Sequence, residues 1–332
     1  MDMDTRMLER GRRAAWAAAL LLGLLLASAP ASALGDGSRG TSGAAFLKIG
    51  PGARPAAMGE AYSAVADDIH AVYYNPAGLA RVGAWELTGM HDRYFQGLDY
   101  NFIAFAVPVS RLVSRSTGVW SEYAGTVAVG VYDLAVDGME RRGETDTNEP
   151  TGTFESDDMA IALAYGRRID EKLSLGGAGK IIRQSLDDRH GTAFAADLGA
   201  LYQLDKRLTL AAGVRHLGTG AKLGGESDPL PLTGYLGAAY RLREPLTFSL
   251  DLGVPRDRVP TVSVGTEYTR KFSDDLRAAL RAGYFTRNTD ADGFNGVSLG
   301  FGLGFGRAGF DFAWVPFGDL GNTFRYSLLL KF

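Results

Sequence analysis

The 332-residue chain has no cysteine, so disulfides, thiolate nucleophiles and cysteine-ligated metals are excluded. It has no surplus of positive charge either. Its 35 Lys and Arg stand against 38 Asp and Glu, a formal net charge of −3, which lacks the basic excess that draws a protein to nucleic acid. Long apolar runs are scarce. A mean hydropathy of −0.05 does not fit a bundle of spanning helices, each needing ~20 mostly apolar residues. With 22% charged and 11% aromatic residues, core formers are too plentiful for a disordered chain. Glycine is what abounds: 44 residues, about 13%, against a usual ~7%.

The one sustained apolar run opens the chain. Arg6, Arg10, Arg12 and Arg13 precede Ala14–Leu26 (AAWAAALLLGLLL), and Ala31-Ser32-Ala33 follows. A positive region, a short apolar stretch and a small-x-small site read as a Sec-type signal peptide over residues 1–33. No cysteine follows the site to carry a lipid, so an exported protein is expected.

Beyond it the chain has two textures. From Gly43 to Val82 it is Ala-rich and broken by Pro and Gly. Ala56–Ala66 favours a short helix by propensity, and Asn75-Pro76 reads as an N-cap followed by proline at the first helical position. From Trp85 onward the period is two. Phe248, Leu250, Leu252 and Val254 alternate with Thr247, Ser249, Asp251 and Gly253; Phe324, Tyr326, Leu328 and Leu330 alternate with Arg325, Ser327 and Lys331. Such alternation places one set of side chains on each face of a strand. Strands are expected near 85–91, 100–107, 125–133, 158–166, 173–184, 193–203, 208–216, 231–241, 246–254, 261–271, 276–285, 296–305, 308–314 and 322–332. Most have the length a tilted membrane strand needs.

Connections add a second signal. Tight polar turns (167–172, 204–207, 242–245, 272–275) fall on one side and longer segments (134–157, 217–230, 286–295) on the other, with 108–124 the exception. Outer-membrane barrels are built this way. Aromatics near strand ends (Trp85, Tyr94, Phe95, Tyr100, Trp120, Tyr284, Phe285, Tyr326) suit an interfacial girdle. The final Phe332, after a strand with Leu328 and Leu330 in matching positions, resembles the terminal signal read by the outer-membrane assembly machinery.

The expected fold is therefore all-β: a single 14-stranded antiparallel transmembrane β-barrel over 84–332, with 34–83 a short helical N-terminal hatch in the lumen. The inward set is mostly small (Gly300, Gly302, Gly304, Ala160, Ala162, Ala164, Gly176, Ala178) and is interspersed with Lys180, Asp197, Arg215, Asp251, Glu267, Arg277, Arg281, Asp311 and Arg325. Mixed signs point to internal salt-bridge networks rather than an ion-selective ring. Small inward side chains leave room for the hatch, which would make a gated site of an otherwise wide lumen. Asp67-Asp68 either bind a cation, cap the next turn or meet lumen arginines such as Arg215, Arg277 or Arg281.

Other motifs carry little chemistry. Gly296-Val297-Ser298-Leu299-Gly300 has nucleophile-elbow spacing but opens an alternating strand with no helix to follow. Gly304-Phe305-Gly306-Arg307-Ala308-Gly309 has dinucleotide-fingerprint spacing but spans an expected hairpin. Asn288-Thr289-Asp290-Ala291-Asp292-Gly293 begins like a calcium loop, yet Leu299 stands where the bidentate Glu belongs. His70, His91, His190 and His216 show no metal-ligand spacing. No enzyme, no metal and no cofactor is expected. The acidic stretch 134–157 reads as a solvated loop.

Gly59-Glu60-Ala61-Tyr62-Ser63, Ala66-Asp67-Asp68 and Asn75-Pro76-Ala77-Gly78-Leu79-Ala80 resemble the N-terminal signature of the FadL-type outer-membrane transporter superfamily. Ala56-Ala57-Met58-Gly59-Glu60-Ala61 and Tyr73-Tyr74-Asn75-Pro76-Ala77-Gly78 are similar to its PorV/PorQ branch, as are Val315-Pro316-Phe317-Gly318-Asp319-Leu320-Gly321 and the final Phe332. The resemblance implies a fourteen-stranded barrel with an N-terminal hatch in the outer membrane of a Gram-negative bacterium. Gly59, Tyr62, Asp67, Asp68, Asn75, Pro76 and Gly78 would be the hatch motif. FadL relatives take up hydrophobic compounds by lateral diffusion through the wall; PorV relatives act in type IX secretion, receiving C-terminal signal domains of exported proteins. Two functions follow as expectations: binding or passage of hydrophobic molecules, or a secretion-type interaction barrel. The first expects an apolar pocket between hatch and wall, with a strand kink or wall opening. Implied partners are outer-membrane lipid, the assembly machinery, and a hydrophobic molecule or secretion-system proteins, with no nucleic acid.

Overall fold

The computed structural model describes residues 40–94, 97–112, 123–143, 149–223, 225, 227–286 and 292–332. The period-two segments form fourteen antiparallel strands: β1 (Glu86–Arg93), β2 (Asp99–Pro108), β3 (Thr126–Arg141), β4 (Gly152–Arg168), β5 (Leu173–Leu186), β6 (Arg189–Gln203), β7 (Leu208–Gly218), β8 (Thr233–Arg243), β9 (Leu246–Pro255), β10 (Thr261–Lys271), β11 (Leu276–Phe285), β12 (Val297–Phe305), β13 (Ala308–Pro316) and β14 (Asn322–Lys331). Each pairs with its sequence neighbours, and β14 returns to β1, so the sheet closes on itself. The closing register runs from Glu86 opposite Lys331 to Arg93 opposite Phe324, and Lys331 Nζ meets Glu86 Oε1 at 2.7 Å. Closure removes the exposed strand edges an open sheet would leave.

Alternation sorts the side chains. Along β14, Thr323, Arg325 and Ser327 are buried while Phe324, Tyr326, Leu328 and Leu330 are exposed. Elsewhere Leu163, Ile181, Phe194, Leu280, Phe301 and Leu303 also face outward and exposed. The outside of the barrel is thus an apolar belt. One rim carries short turns (169–172, 204–207, 244–245, 272–275, 306–307); the other carries 94–98, 142–151, 219–232 and 286–296.

Two expectations are corrected. The acidic stretch 134–157 is not a loop: β3 and β4 continue through it as a paired hairpin, with a register shift between Val136 and Met139. Beyond Val136 both strands are exposed at odd and even positions alike, so polarity there marks solvent on both faces rather than a loop. The helix expected over Ala56–Ala66 is only Ala53–Ala57, because Gly59 and Glu60 at φ 61° and 59° turn the chain left-handed. The long connection 219–232 contains a two-stranded hairpin, Ala221–Lys222 with Ser227–Asp228. Phe95 and Trp120, and Asn288 and Asp290 of the calcium-like loop, lie outside the described residues.

Residues 43–82 run along the inside of the barrel from one rim to the other. Gly43 N donates to Pro229 O at the loop rim. At the turn rim, Thr126 Oγ1 donates to Val82 O at 3.3 Å. Between them lie two short helices, α1 (Ala53–Ala57) and α2 (Ala71–Tyr74). A 3-10 turn over Pro76–Arg81 follows, whose first free N–H, that of Ala77, is accepted by the Asn75 side chain at 3.1 Å. Space for this segment comes from small inward residues. A Cβ on Gly176 would strike the backbone of Pro76 and Ala77, and one on Gly283 would strike the backbone of Met58 and Gly59.

Candidate functional site

The chemistry of the molecule concentrates where segment 43–82 meets the wall. Hydroxyls and backbone form the first set of contacts. Ser298 Oγ, on β12, accepts from Gly59 N at 3.0 Å, and Ser327 Oγ, on β14, accepts from Ala53 N at 2.8 Å. Asp251 on β9 accepts from Ser63 N at 2.9 Å. The Asn75 amide donates to Ser63 O at 3.0 Å and to Ala200 O at 3.2 Å. The nucleophile-elbow spacing around Ser298 thus serves an anchoring acceptor.

Ion pairs form the second set. Arg54 reaches Asp67 at 2.6 Å, Asp68 at 2.8 Å and, across to β10, Glu267 at 2.8 Å. Glu267 in turn meets Arg281 at 2.7 Å, and Arg281 meets Asp311 at 2.6 Å. A continuous network therefore joins α1, the Asp67-Asp68 turn and strands β10, β11 and β13. Asp68 also accepts from the Tyr62 hydroxyl at 2.8 Å and pairs with His70 Nδ1 at 3.0 Å. Burial opposes its charge, but His70, Arg54 and Tyr62 hold the Asp68 carboxyl well below the usual range. Burial likewise opposes charge on Arg54, yet Asp67 and Glu267 hold its proton more firmly than that of a free arginine. Asp67 and Asp68 do not meet Arg215, Arg277 or Arg281, as the sequence suggested; their partner is Arg54, on the same segment.

The remaining charges fall into two more groups. Lys180 and Asp197, both fully buried, pair at 2.6 Å. Lys180 stands 5.5 Å from the Tyr73 ring, and Arg215 lies 5.3 Å from Tyr73 and 5.1 Å from Tyr235. Arg325 pairs with Asp92 at 2.8 Å, approaches Glu60 at 3.8 Å and donates to Gly50 O at 2.7 Å. Arg277 lines a cavity of about 230 Å³ beside the Arg54 network. Gly78 packs on Ala66 and Ala71. Phe332 closes the seam through its N–H to Trp85 O at 2.9 Å. Arg54, Glu60, Asp92, Ser298 and Ser327 escaped the sequence reading as anchors. Arg54 had a visible signal, as the one charge among the apolar and small residues from Ile49 to Gly59.

The wall is irregular beside the Lys180 pair. Ala196 faces Leu217 but Leu198 faces Val214, so Arg215 and His216 stand opposite Asp197 in a β-bulge. His216 has φ 60°, and its N–H donates to Asp197 Oδ1 at 2.8 Å. The cavities against the segment are lined largely by charged and polar residues. The aromatic one, near Tyr73, Arg215, Tyr235 and Phe285, holds about 60 Å³. The β6–β7 bulge is a strand irregularity of the kind the transport expectation named.

Catalytic and metal groupings do not assemble. Among the described residues no three His, Asp or Glu side chains gather as metal ligands. Ser185 Oγ and His190 Nδ1 are 2.9 Å apart on the exposed β5–β6 hairpin, with no carboxylate on the ring among the described residues. The dinucleotide-like Gly304–Gly309 spans the β12–β13 turn.

No protein-family model matches the chain, and no curated protein sequence matches it. Solved structures do. The toluene transporter TbuX of Ralstonia pickettii superposes with a TM-score of 0.55 at 13% identity, covering 86% of this chain and 100% of its own. The toluene transporter TodX of Pseudomonas putida gives 0.52 at 11% identity, covering 80% and 94%. A FadL homologue of Pseudomonas aeruginosa gives 0.48 at 13%, covering 80% and 94%. At these identities the likeness to the two toluene transporters is one of fold alone.

Proposed function

We propose that this chain is an outer-membrane barrel of the FadL type, closest to its PorV/PorQ branch, that binds or passes hydrophobic molecules. Segment 43–82 is its hatch. The observation that carries the reading is the pairing of an apolar outer belt with a lumen occupied from rim to rim by that segment. A belt of exposed Leu, Ile and Phe is costly in water and suited to lipid. A filled lumen does not suit free diffusion of polar solutes, so passage requires the hatch to shift against the wall, and the β6–β7 bulge supplies the irregular wall beside it. The fold shared with two toluene transporters supports the same reading. Residues 1–33 then serve as the signal peptide, and Phe332 as the mark for barrel assembly.

The hatch can be locked to test this. A Cβ on Gly237 would touch Ser63 Oγ, and the chain has no other cysteine, so Ser63→Cys with Gly237→Cys gives a single reversible tether. In Gram-negative cells expressing the chain, uptake of radiolabelled toluene should rise, fall in the oxidised double variant and recover with reductant. Uptake unaffected by expression or by the lock would count against passage. A second reading, a secretion-type barrel that receives C-terminal domains of cargo, is favoured by the charged β3–β4 hairpin extending beyond the region where the strands face belt and lumen. A stable protein partner recovered by cross-linking at that hairpin, with toluene uptake absent, would select it.

A further inference from the structure

At the turn rim a cavity of about 400 Å³ opens between the hatch and strands β6 to β10, lined by Arg81, Lys206, Arg207 and Arg241 and faced by Asp67, Glu244 and Glu267. Two of the carboxylates are already held: Asp67 by Arg54 at 2.6 Å, and Glu267 by Arg54 and Arg281 at 2.8 and 2.7 Å. Glu244 alone remains to balance the four cations, and none of the four forms an ion pair among the described residues. Arg81 is fixed by neutral groups instead, donating to Ala64 O at 3.2 Å, Val65 O at 3.4 Å and Thr209 Oγ1 at 3.3 Å. These orient its guanidinium without neutralising it. A backbone bond from Arg241 N to Arg207 O at 2.8 Å sets those two residues side by side. Burial, and then the like charges of Arg241 and Arg168, hold Arg81 below the ordinary arginine value against the pull of Asp67. Positive charge gathered around a concave space raises the local concentration of anions.

We propose that this vestibule is a binding site for a phosphate-type oxyanion, either a free phosphate monoester or the headgroup of an anionic phospholipid. Guanidinium forks match the geometry of phosphate oxygens and can bind them bidentately, and a dianion offsets the cationic excess better than a single carboxylate would. The site borders the Arg54 network through Asp67 and Glu267, but Arg81, Lys206, Arg207 and Arg241 take no part in that network's ion pairs, and it stands whether or not the barrel passes hydrophobic molecules.

The full-length protein in zwitterionic detergent is titrated calorimetrically with inorganic phosphate, and separately with micelles doped with short-chain phosphatidic acid or with phosphatidylcholine. Saturable binding is expected, weakened at least about tenfold in both Arg81→Gln and Arg241→Gln and weakened by added salt. Lys172→Gln, on the same rim outside the cavity, should bind like the parent. Saturation by dissolved phosphate assigns a free ester; saturation only by phosphatidic acid assigns a lipid headgroup. No saturable binding of either, or equal affinity in the parent and both arginine variants, overturns the proposal. Arg241 is exposed, so its variant keeps the test sound if Arg81→Gln perturbs the hatch, and electrophoretic mobility without boiling verifies that each barrel is folded.

Discussion

Arg54 is the residue on which the charge balance of segment 43–82 turns, because three carboxylates meet at it and one of them belongs to the wall. Removing one member of a buried pair leaves the other charged and desolvated, which costs about 3–5 kcal/mol. Arg54→Ala should therefore lower the unfolding free energy from urea titration by that order, and Arg54→Lys, which keeps the charge but loses the fork, should recover part of it. An Arg54→Ala unfolding free energy equal to the parent's would show that the network contributes little. Asp68 adds a pH dependence. Its folded value is depressed, so its contribution is complete above the ordinary carboxylate value of ~3.9 and is lost as pH falls below it. The Asp68 contribution, read as the difference in urea unfolding free energy between the parent and Asp68→Asn at each pH, should be unchanged from pH 7 to about 5 and should shrink only in stronger acid; a difference already lost near pH 6 would contradict this. The sequence left Asp67 and Asp68 three roles: a cation site, a cap of the next turn or partners of wall arginines. Asp68 does accept from His70 N at 3.0 Å at that turn, while the arginine both meet is Arg54. Partner choice depends on how the chain turns at Gly59 and Glu60, which residue types alone do not fix.

At the scale of elements, legibility followed periodicity. All fourteen strands were visible because each keeps an apolar face and a small or polar face in strict alternation. The β3–β4 extension was misread because its residues, charged on both faces, imitate a loop. The β6–β7 bulge was invisible because one inserted residue, here in the Arg215–His216 pair, shifts the register without altering composition. The seat of the Pro76–Arg81 turn tests how closely element and wall must fit. Gly176 faces it with no room for a Cβ, whereas a Cβ on Gly179, on the same strand, would meet nothing within 4 Å. Gly176→Val should expose segment 43–82 to limited proteolysis while the barrel keeps its unboiled mobility, and Gly179→Ala should behave as the parent. Equal protection of the hatch in both variants would mean that it is not seated by this contact.

For the molecule as a whole, the decisive property is the opposition of an apolar belt and two charged rims. Leu280 stands mid-strand on β11 and is 65% exposed, while Phe305, 71% exposed, ends β12 at the turn rim. In water both are simply exposed apolar side chains, and replacing either with arginine would be tolerated alike or would improve solubility. In a bilayer the two positions differ, because a charge costs ~2–4 kcal/mol at the midplane and ~0–1 kcal/mol near the interface. Folding into phosphatidylcholine vesicles, followed by urea titration, should therefore find Leu280→Arg destabilised by that larger amount and Phe305→Arg close to the parent. The turn rim sharpens the contrast, since Arg168, Lys172, Lys206, Arg207, Arg243 and Lys271 lie along it at strand ends and turns, so that rim already carries positive charge. If the two variants lose equal stability in vesicles, depth has no meaning for this surface, and the belt must be covered by protein rather than lipid. If only Leu280→Arg is penalised, the belt is the membrane-facing wall.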